Sequence, residues 1–379
     1  MNALKTYDLP MDRRLFLQYA GTAALAGPAL FTGCQSSQTA TRTTPEINAT
    51  NIPMWKGFNL TALFNPARKT RFDELDFELM AGWGFNYARL PMSYWCWSSP
   101  DDWMNIDASV FDIVDEAIRF GKAYNIHVCL NLHRIPGYCI NGRDREPKDL
   151  FEGPPEDRAD ALKAAVHHWQ FIAERYKGIP NTQLSFDLIN EPPNISDDAY
   201  RAVVLPLCEA IRKADPTRLI VADGLNVGNT PVPGIVDLNL VQSLRGYTPM
   251  QITHYQASWV FRNVEMPVPT WPLTLENGET WDKNRLHNHF TLWRELEQSG
   301  VKVHAGEWGV YNKTPHQVAL GFMRDQLALW KSYGWGWAVW NFRGDFGILN
   351  SGRSDVNYED YKGLKLDRKM LEILLEDLS

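Results

Sequence analysis

The stretch Leu184-Ser185-Phe186-Asp187-Leu188-Ile189-Asn190-Glu191-Pro192 reads as a short strand that breaks off in a polar turn. A largely apolar run of this length fits a buried strand better than a helix, and the proline closes it because it brings no N–H to a ladder. Helical periodicity flanks it at 158–177 and again at 199–214. Helix, strand and helix in succession are the unit of a parallel sheet, whose strands need crossover connections. Working outward, the same alternation repeats. Strands are expected near 55–60, 85–90, 127–133, 184–190, 219–224, 239–245, 301–307 and 336–341, and helices near 72–81, 109–124, 158–177, 199–214, 282–298, 315–332 and 365–378. Only the Gly- and Pro-rich run from Gly224 to Asp237 lacks a convincing helix. Eight strands with helices in nearly every gap predict an α/β fold, a single (β/α)8 TIM barrel over residues 54–379. A doubly wound open sheet would carry a glycine-rich loop after its first strand, and Asn59-Leu60-Thr61-Ala62 has none.

Composition agrees with one large globular domain: 379 residues, 44% hydrophobic and 22% charged. The formal charge of −7 argues against nucleic acid as a partner, since that affinity comes mostly from cations that neutralise phosphates. The 15 tryptophans are the unusual feature, about three times ordinary usage. Indole faces either stack on sugar rings or fill a core, so position has to decide between the two.

Residues 1–33 read as an export signal. Asp12-Arg13-Arg14-Leu15-Phe16-Leu17-Gln18 resembles a twin-arginine signal, and Leu30-Phe31-Thr32-Gly33-Cys34 resembles a lipobox with Phe31 in place of the usual Leu. Cys34 is therefore expected to carry a lipid, the protein's only tie to a membrane. Residues 34–53, rich in Ser, Thr, Asn and Pro, are expected to be a flexible tether. Loss of 1–33 removes Lys5, Arg13 and Arg14 with Asp8 and Asp12 and takes the charge to about −8. Of the remaining cysteines, Cys129 and Cys208 read as buried thiols, while Cys96 and Cys139 follow strands and are candidates for a disulfide in an exported protein. No cysteine spacing suits zinc. His167-His168 and His287-Asn288-His289 lack a carboxylate at a ligand-like offset and read as solvated surface, so neither metal nor cofactor is expected.

In a (β/α)8 barrel the chemistry gathers at the carboxyl ends of the strands. The fourth strand ends at Asn190-Glu191-Pro192 and the seventh at Gly306-Glu307-Trp308-Gly309, which turns two carboxylates toward one bowl. Together with Arg89-Leu90-Pro91, Asn131-Leu132-His133 and Trp340-Asn341 on other strand ends, these motifs resemble glycoside hydrolase family 5 over essentially Trp55 to the C-terminus. The resemblance implies a retaining β-glycosidase, with Glu191 as acid/base and Glu307 as nucleophile. Retention requires two carboxyl groups about 5–5.5 Å apart. Cationic Arg89 would favour ionised Glu307, and the opposing carboxylate would help keep Glu191 protonated. By the same resemblance Asn190 contacts the sugar 2-hydroxyl, His133 is a further polar contact, and Trp340 is the platform under the ring before the cleaved bond.

One departure stands out. The family has His-x-Tyr at the end of the sixth strand, and here the run is Leu244-Arg245-Gly246-Tyr247. Arg245 and Tyr247 would share a strand face, so both enter the bowl and Tyr247 supplies the hydroxyl that orients Glu307. A rival alignment places the strand at Gln251–Gln256 and gives this role to Tyr255, with His254 beside it. In the preferred alignment His254 and Tyr255 lie in the following loop, still near substrate.

Trp95, Trp97, Trp103, Trp259, Trp271 and Trp308 fall where loops line the cleft, whereas Trp169, Trp293 and Trp330 lie on helices and read as packing. The long loop from Arg134 to Asp157 is of a kind that is usually functional. The expectation is an exported, monomeric retaining hydrolase of β-linked glucans, cellulase-like and endo-acting. Mannan or exo-action is the alternative substrate reading, and a non-catalytic carbohydrate-binding lipoprotein is the alternative of another class.

Overall fold

A computed structural model describes residues 46–262 and 264–379. The export signal and the lipid attachment at Cys34 lie outside the described residues. The eight expected strands all form: β1 (Lys56–Asn59), β2 (Tyr87–Ser93), β3 (His127–Arg134), β4 (Leu184–Asp187), β5 (Ile220–Asp223), β6 (Val241–Gly246), β7 (Val303–Trp308) and β8 (Gly336–Val339). Each pairs in parallel with its neighbours in sequence, and β8 pairs with β1 to close the barrel. Every residue of these strands is buried, as expected of a sheet covered by helices on one face and packed with side chains on the other.

The helices follow the expected alternation: α1 (Glu74–Gly82), α2 (Phe111–Tyr124), α3 (Pro155–Tyr176), α4 (Asp197–Ala214), α5 (Lys283–His289), α6 (Thr291–Glu297), α7 (His316–Tyr333) and α8 (Arg368–Leu378). Their starts are written locally. Asp73, Ser196, Asp282 and Asp367 each accept an N–H of the first turn, satisfying donors that have no partner within the helix. The helix expected over 282–298 is broken in two at Phe290, whose ring is buried against Trp330 and Trp335. Between β5 and β6 there is only one helical turn and a 3-10 segment, Pro233–Leu238. No described helix is long and apolar enough to cross a membrane.

Three expectations are corrected. The end of the supposed tether is packed: Ala49 is buried with Trp55, Tyr87, Val221 and Val241 at the amino-terminal end of the barrel, and Ile47 and Ile52 lie against them. These apolar residues close an opening that would otherwise expose the barrel interior. Cys96 and Cys139 do not pair; they are free and buried like Cys129 and Cys208, and the Cys96 thiol donates to the Leu63 carbonyl. Segment 251–256 is not a strand, because Met250–Thr253 forms a helical turn after β6, which removes the rival alignment.

One irregularity decides where the site lies. Leu244 of β6 pairs with Ala305, but Arg245 pairs with Glu307, so Gly306 is an extra residue on β7. Val303 and Ala305 face the helix layer, and strict alternation would send Glu307 the same way. The bulge reverses the alternation, turning Glu307 into the barrel and Trp308 outward onto Trp330. Glycine is required at 306, because a Cβ there would lie 2.4 Å from Ser243 Oγ and 3.0 Å from Arg245 Nη1.

Candidate active site

The carboxyl ends of β2, β4, β5, β6 and β7 contribute a buried cluster of two guanidiniums and four carboxylates. Arg89 has no exposed surface. Its Nε donates to Asp187 at 2.8 Å, Nη1 to Glu307 at 2.5 Å and Asn59 at 3.0 Å, and Nη2 to Asn190 at 3.0 Å. Asn59 in turn donates to the Gly306, Ala338 and Val339 carbonyls, tying the foot of this arrangement to β7 and β8. Glu307 also accepts from the Tyr247 hydroxyl at 3.3 Å. Arg89 and Tyr247 thus direct donors at different oxygens of one carboxylate and fix its orientation.

Arg245 is the counterpart across the barrel. Its Nε donates to Glu191 at 3.2 Å, its two terminal nitrogens grip both oxygens of Asp223, and further bonds reach Ser243 at 3.1 Å and Asn190 at 2.8 Å. Its Nη2 lies 3.4 Å from Glu307, so a single guanidinium reaches both candidate catalytic carboxylates. Asp223 holds the Glu191 backbone as well, accepting its N–H at 2.9 Å. Glu191 sits at φ 50°, a left-handed conformation unusual for a residue other than glycine. Besides Asp223, the Tyr138 hydroxyl holds it there, donating to its carbonyl at 2.6 Å.

The two glutamates live in different electrostatic settings. Burial and the nearby charge of Glu307 push the Glu191 carboxyl up to about 8, against the opposing pull of Arg245. Asp187, also buried and facing Asp223, is raised to about 7 despite Arg89. With two fixed positive charges among four carboxyls, protons on Glu191 and Asp187 near neutrality bring the cluster close to charge balance. Glu191 is thus disposed to hold a proton, and Glu307 is the group that accepts from Arg89.

Asn190 has its orientation set by chemistry. Its side-chain oxygen accepts from both Arg89 and Arg245, so its NH2 group faces the bowl and His133 Nε2, 3.3 Å away. Burial and the neighbouring arginines hold the His133 imidazole well below its ordinary value, hence neutral, and Nε2 is its acceptor. His133 stacks on Trp340 at 5.4 Å, and Phe64 meets Trp340 edge-on at 5.2 Å. Trp340 is half-buried and joined to Asn341 by a cis peptide.

The structure thus brings together Arg89, His133, Asn190, Glu191, Tyr247, Glu307 and Trp340. It does not bring His254 or Tyr255 to the carboxylates. His254 is buried edge-on behind Tyr247 at 4.9 Å and bonded to Thr253, and the Tyr255 hydroxyl accepts from Gln256. Both follow the helical turn rather than a strand, as the preferred alignment has it, and His254 packs among Tyr247, Trp259 and Phe346.

Half of the tryptophans expected in the cleft are placed elsewhere. Trp308 is fully buried in the helix layer, Trp97 packs on Phe111, and Trp271 lies against Phe322 of α7 with its N–H on Asp325. Trp95 carries the guanidiniums of Arg134 and Arg145 over its ring, and the Trp103 N–H is spent on Tyr94. Trp259 remains, 46% exposed, at the end of an aromatic path that runs from Tyr247 through Phe346 and Tyr311. The histidine pairs are not wholly surface residues either. His168 is buried, accepting the Trp97 N–H and bonding the Trp103 carbonyl, and His287 bonds Tyr333.

Asp187, Asp223 and Tyr138 were missed by sequence reasoning. The aspartates had a signal, since each is an acid on the inward face at the end of an apolar strand. Tyr138 had none. It belongs to the loop after β3, which Glu146 secures by accepting from the Tyr94 hydroxyl, the Trp95 N–H and the Gly137 N–H.

Comparison with known proteins agrees with this arrangement. The family model for cellulase (glycosyl hydrolase family 5) matches residues 46–345. Endoglucanase C of Acetivibrio thermocellus is 28% identical over 321 residues, 77% of this chain and 91% of that protein. The crystal structure of a glycoside hydrolase is 42% identical with a TM-score of 0.80, covering 85% of this chain and 98% of the other. A hyperthermophilic endo-beta-1,4-glucanase solved in complex with substrate shares the fold, with a TM-score of 0.69 at 21% identity over 86% of this chain and 99% of that one. On the match of its barrel to the family model, the chain belongs to glycosyl hydrolase family 5.

Proposed function

We propose that this family 5 glycosidase hydrolyses β-linked glucans within the chain, with retention, by double displacement. One observation carries the reading: the carboxyl groups of Glu191 and Glu307 share one guanidinium, and burial with the neighbouring charge of Glu307 pushes Glu191 toward protonation. In the first step Glu307 attacks the anomeric carbon while Glu191 gives its proton to the leaving oxygen. In the second, water attacks the same carbon, Glu191 takes a water proton, and the bond to Glu307 breaks. Arg89 and Tyr247 keep the nucleophile aimed, the Asn190 N–H not directed at His133 can serve a sugar hydroxyl, and Trp340 offers an aromatic face to the ring. The endoglucanase relative supports glucan as substrate and internal cleavage. Export with a lipid on Cys34 completes the proposal and fits a polymer that stays outside the cell.

The test is a panel of mixed-linkage β-glucan, carboxymethyl cellulose, mannan and aryl β-glycosides, incubated with wild type and with Glu307→Gln. Release of mixed oligosaccharides from glucan by the wild type alone is expected. Activity on mannan only, or equal activity in the variant, would overturn the reading. Radiolabelled palmitate incorporation that disappears in Cys34→Ala checks the anchor.

A further inference from the structure

Arg245 is more completely built into the site than a neighbouring charge requires. All five of its N–H donors have acceptors on Glu191, Asp223, Asn190 and Ser243, so the guanidinium has no freedom to turn. The backbone makes room for it twice. A Cβ on Gly228 would fall 2.5 Å from its Cγ, and one on Gly306 3.0 Å from its Nη1. Asp223 locks the guanidinium while also holding the Glu191 N–H, so Arg245, Asp223 and Glu191 form a closed triangle.

In the resting site this charge is shared, with Glu191 at 3.2 Å and Glu307 at 3.4 Å. The sharing changes during the cycle. After the first step Glu307 is a neutral ester and Glu191 has become the anion. Of the groups that face Glu191, Asp223 from β5 repels that anion, Tyr247 and Tyr138 are neutral, and Arg89 is committed to Glu307, Asp187 and Asn190. Among the described residues only Arg245 touches the Glu191 carboxylate with a positive charge. Resting on the retaining reading above, we infer that Arg245 is the positioning residue of the second half-reaction, holding Glu191 as the carboxylate that takes a proton from the attacking water. In that step the water oxygen bonds the anomeric carbon, its proton passes to Glu191, and the carbon–oxygen bond to Glu307 breaks with its electron pair returning to that carboxylate.

The experiment uses 2,4-dinitrophenyl β-cellobioside, whose leaving group needs no acid, so the first step survives when Glu191 is impaired. Arg245→Met is expected to give a burst of about one dinitrophenolate per site, then a steady-state kcat lowered on the order of 10²-fold with KM lowered in parallel. Azide, an anionic nucleophile that needs no base, is expected to restore turnover roughly tenfold and to yield the β-glycosyl azide. Arg245→Lys keeps a charge without the fork and is expected to fall between. Circular dichroism checks folding, and if the Met variant does not fold, the Lys variant carries the same readouts. Burst and steady state lowered equally, with no azide rescue, would overturn the inference while leaving the retaining reading intact. A wild type that does not release the β-anomer from this substrate would overturn both.

Discussion

Replacing Glu191 by Gln is expected to abolish glucan hydrolysis and yet to stabilise the protein, in a way that depends on pH. The carboxyl rises from 4.5 to about 8 on folding, mainly because burial penalises its anion. A group that binds its proton more tightly when folded favours the fold fully below its unfolded value. That contribution is lost as pH rises from 4.5 to the folded value near 8. Between pH 4 and pH 7 the loss is about 2.5 pH units at 1.36 kcal/mol each, or on the order of 3 kcal/mol. Gln copies the protonated shape and cannot ionise, so the variant avoids the loss. Spread over the roughly 330 described residues, with an unfolding entropy near 2 cal/mol/K per residue, this corresponds to about 4–5 °C in Tm. Differential scanning fluorimetry of both proteins at pH 4 and pH 7 reads it directly. A difference in Tm between variant and wild type that stays the same at both pH values would refute the reasoning, as would a variant less stable than wild type at pH 7 alone.

Other outcomes follow from the same geometry. The alkaline limb of kcat/KM for unactivated glucan should fall near pH 8, where Glu191 loses its proton, and a profile flat to pH 10 would count against Glu191 as the acid. Gly306→Ala places a Cβ 2.4 Å from Ser243 Oγ, so urea melts should show about 1–3 kcal/mol of destabilisation together with a fall in kcat. Tyr138→Phe leaves the Glu191 carbonyl without its hydroxyl donor, and should cost about 1–3 kcal/mol and lower kcat with little change in KM. Trp259→Ala should raise KM for long glucan more than for a short aryl glycoside, because the exposed indole is set off from Tyr247 by the rings of His254 and Phe346; steady-state kinetics on both substrates decides it.

What the sequence reveals and what it conceals divide along physical lines. All eight strands are legible because each is a short apolar run between helical periodicities, and their ends lead directly to Glu191 and Glu307. The placement of Trp308 is not legible, since reading it from Glu307 assumes ordinary neighbours on a strand and the extra residue at Gly306 reverses the faces. The aspartates were readable in principle: Ile220-Val221-Ala222-Asp223 ends in an acid that shares the inward face with Val221. The broken helix at Phe290 and the buried Cys96 thiol are tertiary outcomes, set by Trp330 and Trp335 in one case and by the Leu63 carbonyl in the other. Tyr138 acts through a loop whose path no periodicity encodes.

The bulge on β7 also bears on how such a site can change. Because Gly306 is one residue too many, catalysis here hangs on the odd or even count between Val303 and Glu307 rather than on any single contact. Deleting one residue from this strand would leave its composition almost untouched and exchange the nucleophile for a side chain meant for the outer layer. Loops beyond the barrel can gain or lose residues without altering that count. Insertions and deletions there can reshape what the cleft accepts, while inside β7 a change of length moves the nucleophile itself.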